Sequence, residues 1–356
     1  MDTAGGFLQW LKGYSAGIAG GDRVKVQRRR RAIALLKSVL GFGLLAASLW
    51  GVDWTAFSQS FTRLSFAWMV ALFLLVLLSL LLKTLRSYLL LHNFQVSLSF
   101  SRVLEAFFLG QAASTLLPSR GGEVLRLAYL TAEDVSRFPQ VAAAVMLEKF
   151  LDLLAMTFLA LVVSANLPLT EAVRVRFWLL PLSAAGVVVL LVLIAGGPGV
   201  WRRLRAHWAG RGPAWLDRWL RFGDRMVESS LWLRSPRRLL PAVGWTVVIW
   251  GAMWGTNAAL FRALELRLPL TAGGLVLVLV YIGVLPALMP ANIGPFYFFA
   301  QLGVSAFGVL PADAAAFAVI LHAVVTLTPL LAAAVIFIFS AQARAVLFRS
   351  APDTGG

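Results

Sequence analysis

The sequence contains no cysteine, only three histidines and few charged side chains for its length. Without cysteine there can be no disulfide, no thiolate nucleophile, no cysteine-ligated zinc and no Fe–S cluster. The histidines, His92, His207 and His322, lie far apart and form no HxxxH or HExxH motif, so we expect no metal site and no cofactor. There is no Walker motif either, and direct use of ATP is not expected.

Charge is scarce because most of the chain is apolar. Charged residues make up 13% of the 356 residues and hydrophobic residues 60%, whereas about 25% of the residues in soluble domains are charged. Apolar runs of the roughly 20 residues needed to cross a bilayer recur along nearly the whole length, which leaves no room for an ordinary soluble domain. The sequence therefore predicts an all-α polytopic membrane protein.

The basic residues lie mostly between the apolar runs, although the net charge is +16. A nucleic-acid-binding protein would gather them on one folded polar face, so we expect membrane lipids, and no nucleic acid, as partners. Basic residues precede the first apolar run at 28–31 and follow the last one at Arg344 and Arg349. Positive flanks stay in the cytoplasm, which predicts cytoplasmic termini in the cell's inner membrane. A cleaved signal peptide is not expected, because a long polar and basic leader precedes the first apolar run and Trp-Gly-Val-Asp at 50–53 follows it in place of a small-residue cleavage site.

The apolar runs divide the chain into two membrane repeats, 33–164 and 177–339. A basic cytoplasmic segment, 1–32, precedes them and a cytoplasmic tail, 340–356, follows them. Each repeat has two spans, an interrupted hairpin and a third span, which gives about six full transmembrane helices. The predicted spans are 33–50, 66–91, 140–164, 177–195, 239–261 and 314–339. The segment 51–65 carries a single arginine and is interpreted as a loop on the outer face.

Each repeat contains one apolar stretch that is broken by proline and glycine. The stretch 103–131 breaks at 118–122, and the stretch 272–308 breaks at 286–295. Broken backbone at bilayer depth must be enclosed by protein or by a water-filled cavity, and matching breaks in two halves indicate a transporter's substrate site. We predict that both stretches are re-entrant hairpins. The alternative is that each stretch crosses the membrane twice. The charges at the termini do not distinguish the two possibilities, because both leave the termini on the same side.

An odd number of crossings in each repeat predicts that the two repeats face opposite ways, as an inverted-topology repeat. The second repeat also carries a basic cytoplasmic insert at 196–238. Apolar residues recur within it at helical spacing, which is typical of an amphipathic helix in the membrane interface. Packing of that helix against the bundle is an equally open interpretation. The apolar residues are Trp215, Leu216, Trp219, Leu220, Phe222 and Met226.

The first hairpin concentrates ionisable residues, which inside a membrane bundle mark a pathway or a binding site. Arg120, Glu123 and Arg126 recur at three-residue steps after Pro118, with Ser119 as the predicted N-cap. A helix N-terminus beside an arginine favours an anion such as a phosphate. The alternative is that the arginines pair with Glu123 and only hold the hairpin together.

The span after this hairpin carries Glu148, Lys149 and Asp152 in an otherwise apolar run. Glu148 and Asp152 are four residues apart and share one helical face. They are predicted either to contact the ligand or to form an ion-pair network with the hairpin's arginines. The two interpretations are compatible if substrate binding opens the network. Lys83 and Arg86 are interpreted instead as charges that mark the cytoplasmic end of the second span, with Lys83 extending to the interface.

The second hairpin is less charged. Asn292 can cap or hydrogen-bond, Gly294 precedes a new half-helix, and Tyr297 and His322 are the other polar candidates. His322 either contacts the ligand or is a satisfied structural group. No catalytic residue is predicted. The candidate substrate-binding residues are Pro118, Ser119, Arg120, Gly121, Gly122, Glu123, Arg126, Glu148, Lys149, Asp152, Asn292, Gly294, Tyr297 and His322.

Two motifs carry a family resemblance. The segment Leu-Leu-Pro-Ser-Arg-Gly-Gly-Glu-Val-Leu-Arg at 116–126 is followed by Leu-Glu-Lys-Phe-Leu-Asp at 147–152. Together they resemble the lysylphosphatidylglycerol synthetase transmembrane-region family, flippase-type membrane domains that occur fused to aminoacyl-phosphatidylglycerol synthetases or as stand-alone proteins. The resemblance covers essentially the whole membrane region. It implies that the functional polar cluster comprises Arg120, Glu123, Arg126, Glu148 and Asp152.

The second half departs from the family pattern. Family members have a Pro-Gly-Gly-x-Gly turn followed by an acidic residue, whereas this chain has Pro-Ala-Asn-Ile-Gly at 290–294 and then Pro-Phe-Tyr-Phe. A role that needs an acid on this hairpin is therefore not expected. The soluble aminoacyl-transferase domain is also missing, so the synthetase activity in the family's name is not carried over.

The combined evidence predicts a transporter, not an enzyme, that moves a lipid with a phosphate headgroup between leaflets. The lipid would be a phospholipid, an aminoacyl-phospholipid or a polyprenyl-phosphate lipid. A membrane-embedded polyprenyl-phosphate glycosyltransferase and a small-solute secondary transporter are the alternatives. The sequence leaves open the direction, the energy source and whether the protein acts as a homodimer.

Overall fold

The protein is described by a computed structural model that covers residues 22–116, 121–165, 235–286 and 289–348, with isolated residues between 199 and 224. In these ranges the secondary structure is entirely helical. The predicted span 177–195 and most of the basic insert lie outside the described residues, as do Pro118, Ser119 and Arg120.

The described residues form eleven α-helices, with short 3-10 turns at Val135–Arg137 and Pro290–Asn292. The helices are α1 Asp22–Leu49, α2 Trp54–Thr62, α3 Phe66–Asn93, α4 Phe100–Leu116, α5 Gly121–Thr131, α6 Phe138–Ala165, α7 Pro236–Ala263, α8 Leu270–Val284, α9 Pro295–Ser305, α10 Pro311–Phe339 and α11 Ala341–Phe348.

Three helices in the described ranges, α3, α7 and α10, are long and apolar enough to cross a membrane. They coincide with three predicted spans. The pair α1 and α2 is a fourth candidate, bent by 78° at the break between them. Helix α6 matches the predicted span 140–164 and is 28 residues long, but it carries three charged side chains. The chain is thus a multi-pass membrane protein, and the count of six spans stays a prediction.

Helix α2 occupies a region that the sequence analysis interprets as a loop on the outer face. Asp53 caps it, because its Oδ1 accepts hydrogen bonds from the backbone N–H groups of Thr55 at 2.9 Å and Ala56 at 3.2 Å. Ser60 on α2 donates to the Asp313 carboxylate at the start of α10, at 2.7 Å. The short helix is therefore fixed at both its N-terminus and its packed face.

Each of the two interrupted stretches forms a pair of short helices. Helices α4 and α5 pack closely, as do α8 and α9, and all four are shorter than the roughly 20 residues of a full span. The first pair approaches closely because Gly110 on α4 faces Gly122 on α5. A Cβ atom at Gly122 would overlap the carbonyl oxygen of Gly110 and the hydroxyl of Ser114.

The two halves follow one plan. Helices α3 and α7 each have 28 residues, and each ends with the same backbone motif. Gln95 and Glu265 adopt positive φ angles of 61° and 58°, and Val96 and Leu266 then donate to carbonyls five residues back, at 2.9 and 2.8 Å. A short-helix pair and a long helix follow in both halves.

Two apolar clusters each centre on one half and include residues of the other, namely Ala242, Ala333 and Ala343 in the first cluster and Leu72 in the second. One buried cluster joins α3 to α6 and another joins α7 to α10. Helix α3 lies along α7, while α4 packs on α10 and α8 packs on α6. The short-helix pair of each half is therefore held against the long helix of the other half.

Candidate functional site

A buried ion pair joins the first hairpin to α6. The guanidinium of Arg126 on α5 donates to both carboxylate oxygens of Glu148, from Nη1 to Oε2 at 2.9 Å and from Nη2 to Oε1 at 2.8 Å. Nη2 also donates to the Ser87 hydroxyl on α3 at 2.5 Å. Only 5% of the Arg126 side chain and 4% of the Glu148 side chain are exposed. The pair therefore links three helices inside the apolar bundle.

The position of Arg126 follows from the packing of the hairpin. Arg126 lies one turn after Gly122 on the buried face of α5. A Cβ atom at Gly110 would come within 2.9 Å of the Arg126 Cβ, so a side chain there would push the arginine away from α6. The Phe107 ring lies 5.1 Å from the guanidinium carbon and covers its other side.

A second ion pair lies beside the first. Arg86 on α3 donates to the two oxygens of Asp152 on α6 at 2.8 and 3.2 Å, and to the Thr246 hydroxyl on α7 at 2.9 Å. The Trp250 indole N–H on α7 donates to the same Asp152 oxygen as Arg86 Nη1, at 3.3 Å. The Arg86 side chain is 2% exposed and that of Asp152 is 19% exposed.

Sequence analysis missed Arg86, which it assigned to the cytoplasmic end of a span. The structure buries it opposite Asp152. The available signal was that Arg86 falls within an apolar run, as Asp152 does, and that a carboxylate in one span needs a cation in another. Ser87, Thr246 and Trp250 carried no such signal, because single polar residues are common in membrane helices.

At the rim of this cluster, Glu123 pairs with Lys149 at 2.5 Å. Both side chains are partly exposed, in contrast to the two arginine pairs. The alternative interpretation pairs both Arg120 and Arg126 with Glu123. Arg126 forms its ion pair with Glu148 instead, and Arg120 lies outside the described residues. The predicted residues Glu123, Arg126, Glu148, Lys149 and Asp152 thus come together with Arg86 as three ion pairs.

The second group of predicted residues surrounds the turn between α8 and α9. His322 on α10 contacts the Ala291 carbonyl through Nε2 at 2.8 Å and the Tyr297 hydroxyl through Nδ1 at 3.0 Å. A carbonyl only accepts, so Nε2 carries the proton and Tyr297 donates to Nδ1. Ala291 and Asn292 have positive φ angles of 52° and 55°, and His322 therefore holds a turn of unfavourable backbone geometry.

Helix α1 covers this turn. Gly294 has a φ of 91°, and a Cβ atom there would overlap the carbonyl oxygen of Gly41 on α1. On its other side, the 3-10 turn Pro290–Asn292 packs against α4 of the first hairpin. The two hairpins are thus in contact, although in the described ranges the His322 group shares no hydrogen bond with the arginine pairs.

The second hairpin reaches the ion-pair cluster through a different residue. Lys83 on α3 donates to the Tyr281 hydroxyl on α8 at 3.3 Å, and the Tyr281 ring packs on Trp250 with centroids 4.8 Å apart. Trp250 in turn donates to Asp152. In the described part of the chain, no three histidine or acidic side chains are grouped to hold a metal ion.

Comparison with known protein families relates most of this chain to one family. The family described as Lysylphosphatidylglycerol synthase TM region matches residues 34–333, which include both short-helix pairs and every ion pair described above. No curated protein sequence matches the chain significantly. The family is one of lipid-related membrane domains. With a match over most of its length, the chain belongs to the lysylphosphatidylglycerol synthase transmembrane-region family.

Proposed function

We propose that the protein moves a lipid with a phosphate headgroup between the two leaflets of a membrane. The observation that carries the proposal is the bidentate pair of Arg126 with Glu148, buried where the broken hairpin meets α3 and α6. Charges at membrane depth are costly and are typical of substrate pathways. Membership in a lipid-related family supports the same assignment.

A lipid phosphate is a suitable competitor for this arginine. A phosphate and a carboxylate both accept two parallel hydrogen bonds from a guanidinium group. When a phosphate replaces Glu148 on Arg126, the carboxylate is released and α6 loses its buried ion pair with the hairpin, while the partly exposed pair of Lys149 with Glu123 remains. Substrate binding would thereby change how the helices pack, which couples binding to motion.

The lipid tails need no site of their own in this mechanism. They stay in the bilayer, and the protein supplies a polar path for the headgroup only, which lowers the cost of taking the phosphate through hydrocarbon. The partners are therefore membrane phospholipids or polyprenyl-phosphate lipids. The basic residues at 28–31 support a cytoplasmic N-terminus in the inner membrane.

Alternating access would come from an inverted repeat of two re-entrant hairpins. The equal lengths of α3 and α7, the matching motifs at Gln95 and Glu265, and the exchanged packing of the short helices support a repeat. In this proposal the hairpins enter from opposite sides, and one repeat rocks against the other around the ion pairs.

The test is the exchange of tail-labelled phosphatidylglycerol, phosphatidylethanolamine and polyprenyl phosphate between leaflets of proteoliposomes. We expect protein-dependent exchange that slows about 5–150-fold in Arg126→Gln and Glu148→Gln. Arg137→Gln is the matched control, because Arg137 forms an exposed pair with Asp134 outside the bundle. It should exchange lipid like the wild type.

Two results would contradict the proposal. One is that the wild type exchanges none of the lipids although its insertion is verified. The other is that both bundle variants exchange lipid at the wild-type rate. Chemical conversion of a labelled lipid in the same vesicles would favour a membrane enzyme.

A further inference from the structure

Lys83 is a partly exposed cation of the bundle that forms no ion pair of its own with a carboxylate in the described part of the chain. Its ammonium group contacts the Tyr281 hydroxyl at 3.3 Å, while Asp152, Glu148 and Glu123 are occupied by Arg86, Arg126 and Lys149. Tyr281 is neutral, and its hydroxyl also lies 3.9 Å from the Met253 sulfur. Asp152 is close enough to interact electrostatically with Lys83, but Arg86 already holds this carboxylate by two hydrogen bonds. The lysine therefore shares a carboxylate that is already paired, and its described hydrogen bond goes to one weak acceptor.

The whole cluster consequently carries an excess positive charge. Its described members are four cations and three carboxylates, which leaves one positive charge in excess. An uncompensated charge in a bundle is costly, and such groups belong to sites that bind or move ions. The excess is located at Lys83, since each of the other cations has a carboxylate.

Three side chains of the site around Lys83 are partly exposed. The side chain of Asp152 is 19% exposed, whereas that of Arg86, its partner, is 2% exposed, so the cluster opens on the Asp152 side. Lys83 and Tyr281 are also partly exposed. The indole of Trp250 lies between Asp152 and Tyr281 and forms an apolar wall next to the lysine.

No acid is available to bind an ammonium group in the second hairpin. Residues 270–305 contain no charged side chain at all, and the three carboxylates of the cluster are already paired. A headgroup that carried an ammonium group would meet excess positive charge and no free acid. A headgroup with a phosphate alone would neutralise the cluster.

We propose that Lys83, with Tyr281 beside it, is a binding site for a phosphate ester that carries no balancing ammonium group. The inference rests on the proposed function and narrows its substrate to anionic lipids, such as phosphatidylglycerol or a polyprenyl phosphate. Cationic aminoacyl lipids and zwitterionic lipids are bound less well than anionic lipids, because their ammonium groups meet the excess positive charge. Lys83 holds the phosphate, and Arg126 receives it when Glu148 is released.

The experiment measures binding and exchange separately. Native mass spectrometry of the detergent-solubilised full chain counts retained phosphatidylglycerol, phosphatidylethanolamine and lysyl-phosphatidylglycerol, and tail-labelled forms of the same lipids report exchange in proteoliposomes. We expect the wild type to prefer phosphatidylglycerol over lysyl-phosphatidylglycerol by about tenfold in both assays, which corresponds to about 1.4 kcal/mol. Lys83→Met should reduce retention and exchange of phosphatidylglycerol about tenfold and abolish the preference.

Two further variants control for folding and for charge. Lys37→Met removes another partly exposed lysine, on α1, and should leave the lipid preference unchanged. Lys83→Arg keeps the positive charge and should keep the preference, even if Lys83→Met proves too unstable to measure. A loss of preference in Lys83→Arg equal to that in Lys83→Met would contradict a site based on charge.

The outcomes separate this inference from the proposed function. Selective retention of phosphatidylglycerol that depends on Lys83, without exchange, supports the site and contradicts the transport function. Displacement of phosphatidylglycerol by soluble glycerol phosphate supports the anion site and indicates that its ligand is a soluble phosphate ester instead of a lipid. Equal or stronger retention of lysyl-phosphatidylglycerol by the wild type would overturn the inference.

Discussion

Arg126 and Glu148 face each other with two parallel hydrogen bonds, and almost nothing of either side chain is exposed. Removal of one member of a buried ion pair leaves the other charge unpaired, which costs about 3–5 kcal/mol. Replacement of both members by apolar residues of similar size is often neutral. Stability and function can therefore be separated at this pair.

We first predict that Glu148→Gln and Arg126→Gln each lower the thermal midpoint of the solubilised protein, whereas the double variant Arg126→Met/Glu148→Leu regains most of it. The double variant should still not exchange lipid, because the phosphate-binding guanidinium is gone. Thermal unfolding followed by intrinsic fluorescence measures the first effect, and leaflet exchange measures the second. Wild-type exchange by the double variant would show that the pair is only structural.

The second prediction concerns the close approach of α4 and α5. Gly122→Ala should destabilise the protein by about 1–3 kcal/mol, because the added methyl group overlaps Gly110 and Ser114. Gly244→Ala on α7 is the control, since a Cβ atom there meets nothing within 4 Å. The control should be neutral or slightly stabilising, because alanine favours a helix by about 1 kcal/mol over glycine. Thermal midpoints of the two variants provide the comparison.

The third prediction concerns the turn of the second hairpin. His322→Ala leaves the Ala291 carbonyl and the Tyr297 hydroxyl without their partner, which costs about 1–3 kcal/mol for each buried group. Hydrogen exchange followed by mass spectrometry should show faster exchange over residues 289–294. Tyr297→Phe keeps the bond from His322 to Ala291 and should have a smaller effect. Unchanged exchange in His322→Ala would mean that packing on α1 and α4 is sufficient to hold the turn.

The fourth prediction concerns the N-cap of α2. Asp53→Ala should destabilise the first turn of this helix by about 0.5–2 kcal/mol, because the N–H groups of Thr55 and Ala56 lose their acceptor. Asp53→Asn keeps an acceptor oxygen and should behave like the wild type. Faster hydrogen exchange over Trp54–Thr62 in the alanine variant alone is the expected result. Equal exchange in both variants would assign the stability of α2 to its packing on α10.

Several features could be predicted from residues close together in the sequence. The apolar runs identified three of the long helices, and the motif at 116–126 identified the family. The short helix α2 was missed, although Asp53 is a typical N-cap residue, because a short polar segment between two spans was interpreted by its charge alone. Signals from neighbouring residues were thus sufficient to predict the helices for which periodicity and composition agreed.

Pairing could not be predicted in the same way. Arg86 and Asp152 are 66 residues apart, and the sequence contains several arginines and acids that could be combined in many ways. The partner of Arg126 is Glu148 and not the nearby Glu123, because the close contact of Gly110 with Gly122 turns that arginine toward α6. Lys83 likewise becomes informative only once every carboxylate near it is found to have another partner.

The sequence by itself determined that this is a helical membrane protein with two broken hairpins and a set of charges inside its apolar runs. Hydrophobicity and helix breaks act over a few neighbouring residues and can be recognised in a linear chain. Only the tertiary structure decided which charges neutralise each other and which one is left over. Ion pairing depends on distances of a few ångströms between side chains on different helices, and those distances exist only after the helices have packed.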